Sequence, residues 1–359
     1  MKKVCLIVLA VMLLTVRGKA AELPDGLERA LPNEAEKLLR GIYFSRADAL
    51  TEGLAQIAYR ITENMGKILR GRIRNAAAVL LAALVCGVIG GFHKSAGTLG
   101  GPDITLAAGA LTVTVLTAGS LDSLMGLGAR TIQEIVDFSQ VLVPAMAVVT
   151  AAAGAVGTAS VHQVATLFFA EGLLQLIRRL LLPAVYLYVG VLAAGAMLSN
   201  GRLNGIAAAL KKSVTWVLST ALLLFTLYLS AARVISGTVD SAAIKVTKAA
   251  ISGAVPVIGG ILSDAAESVL AGAGVLKGAV GAFGVLAMVA ICAGPFLQLG
   301  AQYLLYKLAA FLASAAAPEG LCRLIDGLGG TFGLVLGMTG ACALLVLVSV
   351  LSSAAAVMA

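Results

Sequence analysis

Residues 251–311 read ISGAVPVIGGILSDAAESVLAGAGVLKGAVGAFGVLAMVAICAGPFLQLGAQYLLYKLAAF. The run is too apolar for a soluble loop, yet Pro256, Asp264, Glu267, Lys277, Pro295, Gln298 and Gln302 punctuate it. In hydrocarbon each unsatisfied polar group costs several kcal/mol. Such residues therefore face protein or water, and ionisable ones are the stronger functional pointers. Two readings follow. Either Pro256 and Pro295 bracket a membrane hairpin that holds Asp264 and Glu267 near membrane depth, or the prolines are ordinary breaks and the acids sit in a wetted turn. Asp264 and Glu267 are three residues apart and share a helix face. Lys277 is the base placed to offset them.

The same character extends over most of the chain. Of 359 residues, 60% are hydrophobic and 12% charged, about half the charged fraction of a soluble domain. A soluble fold could not hide so much apolar surface. The expected class is all-α, a polytopic helical membrane protein. The net charge of +8 is spread over helix ends and short loops, with one cluster at Arg70, Arg72 and Arg74. That cluster suits a lipid surface better than a nucleic-acid footprint, and no nucleic-acid partner is expected.

Residues 1–20 begin with Lys2 and Lys3, continue through an apolar run and end on Gly18-Lys19-Ala20. This is the order of a signal peptide; Arg17 and Lys19 leave an uncleaved anchor open. Residues 21–72 form a charged, exported helical segment. Asn33 with Glu36 fits a helix start there. Leu50, Leu54, Ile57, Ile61, Met65 and Ile68 make one apolar stripe.

The multi-pass domain occupies 73–359. Hydrophobic segments are expected near 75–91, 104–121, 141–158, 163–182, 184–199, 214–235, 275–294, 296–313 and 330–352. An interrupted tenth lies at 254–270. Residues 122–139 and 236–252 read as helices along the membrane surface. Pro144 and Pro183 stand as far apart as Pro256 and Pro295. All four are expected helix breaks, and the pattern allows an internal repeat of 113–200 with 225–312, as in transporter-like folds. Glu171, Arg178 and Arg179 are further charges inside an apolar run.

Motifs for chemistry are missing. There is no Walker loop and no HExxH. His93 and His162 stand apart, and the five cysteines show no ligand spacing. No cofactor or metal is expected. Gly329, Gly333 and Gly337 form a small-residue ridge that lets another helix approach closely.

The signal peptide, the charged segment after it, and the stretches GAVPVIGGILSDAAESVL, LKGAVGAFG and GPFLQLGAQYLLYKLAAFLA resemble the stage III sporulation protein AE family of endospore-forming bacteria. The resemblance implies a non-enzymatic membrane subunit of the transenvelope channel complex between mother cell and forespore. It implies a place in the mother-cell membrane that surrounds the forespore. The implied partners are the lipid bilayer, the other stage III sporulation AA to AH proteins, and stage II sporulation protein Q. The alternative reading is a secondary-transporter-like permease for a small solute or ion. Asp264, Glu267, Lys277, Glu171, Arg178 and Arg179 would then be its working residues.

Overall fold

The computed structural model describes residues 26–42, 44, 49–95, 104–152, 156–198, 201–254 and 259–355; within the helices, the side chains at 64, 65, 67, 68, 93–95, 152, 156–162, 201, 229–254, 259–278 and 352–355 are not described. The signal peptide at 1–20 lies outside these residues. Among them the protein is helical and contains no strand. A short α1 (Asn33–Leu39) precedes α2 (Ala49–Ser95) and α3 (Ile104–Ala152). Next, α4 (Val156–Leu176) runs through a π-helical turn (Ile177–Leu181) into α5 (Leu182–Leu198). The chain ends with α6 (Gly201–Ala254), α7 (Gly259–Ala313) and α8 (Glu319–Ala355).

Six stretches among the described residues are long and apolar enough to cross a membrane: Leu69–Phe92, Ile104–Ala151, Gln163–Leu198, Arg202–Tyr228, Ala279–Ala313 and Glu319–Leu351. The sequence suggested nine or ten segments because polar residues and prolines divide long helices in hydropathy but not in backbone. Thus 104–121 and the described part of 141–158 up to Ala152 lie in one helix, α3, and 275–294 and 296–313 lie in α7. The 49 residues of α3 extend roughly 70 Å at about 1.5 Å per residue. That is more than twice a hydrocarbon core about 30 Å thick. Residues 122–139, expected along the surface, are instead the middle of α3. Ile132, Ile135, Val136 and Phe138 there are at most 1% exposed. Residues 236–252 likewise continue α6.

The expected proline breaks also need correction. Pro144 and Pro295 lie inside α3 and α7, which run on through them. A proline removes one backbone donor, and neighbouring helices in a bundle can compensate. Pro183 follows the π turn, in which the Leu182 N–H reaches back five residues to the Ile177 carbonyl. The wider turn carries the chain past a residue with no N–H. Pro256 lies outside the described residues.

Helices α2 and α3 run antiparallel, as do α7 and α8. Asn75 meets Ser120 across α2 and α3. Tyr306, Tyr303 and Phe296 of α7 meet Gly329, Gly333 and Gly340 of α8 in reverse order. The last helix is the axle of the bundle, packed against α3, α4, α5, α6 and α7. Leu321, Leu324, Ile325, Leu328, Phe332, Val335 and Met338 on it are at most 1% exposed.

The N-terminal segment packs on this bundle. Leu27, Ala35 and Leu39 are buried, and Phe44 sets its ring edge-to-face on Phe283 at 5.1 Å. Arg60 and Gln56 of α2 donate to the carbonyls at the end of α1. Helix α1 starts with Pro32 at its cap and no side-chain capping bond, so Asn33 is already inside the helix. The apolar stripe of α2 holds at Ile57 and half-buried Ile61, but its first turn faces elsewhere. Leu50 and Leu54 are 39% and 43% exposed, whereas Ala49 and Ile57 are 2% and 1%. Gly53 marks the face that packs there, because its Cα faces the Leu286 side chain too closely for a Cβ. The boundary expected at 72/73 falls within α2, which continues through it.

Candidate functional site

Polar groups gather in three places. The first is a seam buried between α3, α7 and α8. The Thr117 hydroxyl donates to the Val113 carbonyl at 2.8 Å. Its single proton is thereby committed, so Tyr306 donates to Thr117 across the helices at 3.1 Å. Both residues are wholly buried. Gln302, also wholly buried, lies near the Tyr306 hydroxyl but finds no hydrogen bond of good geometry. Toward α2 the seam continues as Arg72 donating to Gln298 at 3.0 Å and Asn75 to Ser120 at 2.9 Å. Within a membrane such pairs bind helices together, since the alternative is an unpaired polar group in hydrocarbon.

Gly329 and Gly333 let this seam close. A Cβ on Gly329 would stand 3.1 Å from the Tyr306 Cβ, and one on Gly333 would stand 3.1 Å from the Tyr303 ring. Gly337 has nothing within 4 Å and faces outward. Gly340 takes the third contact instead, against Phe296.

The second place is the exposed α3–α4 face. Arg178 donates to Gln133 at 3.0 Å, and Gln133 donates to Asp137 at 2.7 Å. Glu171 accepts from Gln175 one turn along at 3.0 Å. Glu171, Arg178 and Arg179 are all exposed. Asp264, Glu267 and Lys277 fall on helical backbone in α7, but their side chains lie outside the described ones. His93 and His162 are in the same position, on α2 and α4.

The third place is a cleft of about 570 Å³ where the ends of α5, α6, α7 and α8 meet. Lys307 pairs with Asp326 at 2.5 Å and Arg323 with Glu319 at 3.1 Å. Lys211 enters from α6. At the inner wall the Tyr188 hydroxyl donates to the Gly327 carbonyl at 3.2 Å. The sequence did not mark Lys307 and Asp326, nor Lys211 as part of a site. A signal was present, since Lys307 and Asp326 lie at nearly equal distances on either side of the short connection between α7 and α8.

No group of three or more metal-ligating side chains occurs among the described residues, and no disulfide joins the described cysteines. The fold and these polar loci define a helical membrane protein with six membrane-length helices among the described residues, whose buried polar groups join helix to helix. The chain belongs to the stage III sporulation protein AE family, whose profile matches residues 43–356 and leaves α1 outside. It is 24% identical over 201 residues to stage III sporulation protein AE of Bacillus subtilis strain 168, covering 56% of this chain. The chain spans about half (50%) of the length of that curated relative. No solved structure matches it.

Proposed function

We propose that this protein is a non-enzymatic membrane subunit of the sporulation channel complex, and that it works by assembly rather than by moving solute itself. The observation that carries the reading is the occupancy of the bundle axis. A carrier binds its cargo near mid-membrane between repeats or bundles. Here the axial position is filled by α8, with Leu324, Leu328, Phe332 and Val335 at most 1% exposed. The charges offered as carrier residues on α4 and the π turn, Glu171, Arg178 and Arg179, face outward. Membership of a sporulation family supports a place in the mother-cell membrane around the forespore. The other stage III sporulation AA to AH proteins and stage II sporulation protein Q are the proposed partners. The exported segment 21–72 would face the space between the two membranes, with 73–359 as the membrane domain.

The test is neutralisation of the α7 charges in sporulating cells. Asp264→Asn, Glu267→Gln and Lys277→Gln are scored for co-purification of the partner proteins and for late forespore gene expression. A subunit that acts by assembly loses both readouts together or neither. Assembled complexes with gene expression lost would instead identify a permease. Asp264→Lys beside Asp264→Asn reads the depth of that carboxylate. Normal sporulation with lysine there would mean that it has no buried role.

A further inference from the structure

We infer that the cleft between α6 and α7 is a binding site for the phosphate of an anionic phospholipid. Its walls are built for a ligand with one charged and one greasy end. Three cations and two carboxylates line it, and the carboxylates are already engaged: Asp326 by Lys307 and Glu319 by Arg323. Lys211 is exposed and, among the described residues, has no carboxylate within 4 Å. Its Nζ would stand 3.2 Å from a Cβ built on Gly330, so the ammonium overlies the α8 backbone at the inner side of the cleft. The cleft therefore offers a net positive charge and an unpaired ammonium, which suits a phosphate and not a second cation.

The opening has the opposite character. Ala207, Ala208 and Ala310 line its wall with small apolar side chains. Phe311, which lines the cleft, is 74% exposed, and Leu308 and Ile206, next in the chain to the lining residues Lys307 and Ala207, are 52% and 51% exposed. They lie at one end of two membrane-length helices, where headgroups meet acyl chains. A soluble phosphate would use the cations and leave these residues idle. A lipid uses both, with its phosphate at Lys211 and its chains along Phe311 and Leu308. A basic residue at a lipid surface contributes about fivefold in affinity.

The full chain, reconstituted in nanodiscs of phosphatidylglycerol and phosphatidylcholine in equal parts, is extracted and its retained lipid measured by native mass spectrometry. The wild type should retain phosphatidylglycerol preferentially. Lys211→Gln should lower that retention about fivefold, whereas Asp326→Asn, which releases Lys307, should raise it. Lys212→Gln changes an exposed neighbour that does not line the cleft and should change nothing. Equal retention of the two lipids overturns the site, as does a fall in Asp326→Asn or an equal loss in Lys211→Gln and Lys212→Gln. A separate arm adds inorganic phosphate to the protein in lipid-free micelles. Broadening of its phosphorus resonance that Lys211→Gln abolishes would make soluble phosphate the ligand and overturn the lipid assignment.

Discussion

Helices α8 and α2 both contain a stretch apolar enough to cross a membrane, yet 61% of the α8 stretch is buried inside the protein and 17% of the α2 stretch. Apolarity decides only that both belong in lipid. What separates them is how much of each helix's surface makes close contacts with other helices. On α8, Gly329, Gly333 and Gly340 each receive an aromatic side chain of α7. On α2, Leu81, Val85, Val88, Ile89 and Phe92 are 50% to 74% exposed. In lipid the hydrophobic effect gives helices little reason to associate, so close packing and interhelical hydrogen bonds must supply it. The α7–α8 seam has both, and the outer face of α2 has neither.

The contrast is broken most severely by removing the knob that fills the seam. Tyr306→Ala deletes a wholly buried ring that stacks edge-to-face on Phe332 at 5.2 Å. It should cost about 3–5 kcal/mol, the range for large aromatic truncation. Thermal unfolding in detergent would show it as the largest loss in the series. Next comes Thr117→Val, which leaves the Tyr306 hydroxyl without its acceptor at a cost of about 1–3 kcal/mol. Combining it with Tyr306→Phe should recover most of that loss, because both partners are then apolar. A double mutant as unstable as Thr117→Val alone would mean that the hydroxyl pair is not the source. Gly333→Ala tests the close approach itself. Its Cβ would crowd the Tyr303 ring at 3.1 Å, but a half-buried side chain can yield, so about 1 kcal/mol is expected, the lower edge of the overpacking range.

These positions show where the sequence was legible. The helical membrane class followed from composition, and the family from particular stretches of α7. The glycine period on α8 announced a close contact because small residues at helical spacing permit few other uses. It did not give the phase, and Gly337 turns outward while Gly340 turns in, since the partner's aromatics at 296, 303 and 306 select the register. Hydropathy divided α3 into two segments because Asp122, Arg130 and Glu134 interrupt an apolar run without interrupting the helix. Prolines misled for a related reason. A missing donor ends an isolated helix, but here α3 and α7 run through Pro144 and Pro295. The Thr117–Tyr306 pair joins residues 189 apart, which no local pattern could reveal. The stripe on α2 held at Ile57 and missed at Leu50 and Leu54, because Gly53, without a side chain to count in any apolar periodicity, marks the face that packs there.

The smallest expected effect sharpens the comparison from the other side. Leu81 on α2 is 62% exposed within a membrane-length stretch. If lipid covers it, Leu81→Ala exchanges one contact with hydrocarbon for another and exposes no new surface to water. Stability should then stay within about 0.5 kcal/mol of the parent, as for substitutions away from packed features. A buried leucine truncated to alanine loses about 2–5 kcal/mol, because packing atoms vanish and a cavity remains. The two outcomes are far enough apart to be read from thermal unfolding of the single variant, first as the purified chain and then within the assembled complex. A negligible change in both means that the outer face of α2 meets lipid. A large cost only in the complex means that a partner helix covers it, and the difference between α2 and α8 would then be one of which protein buries each helix.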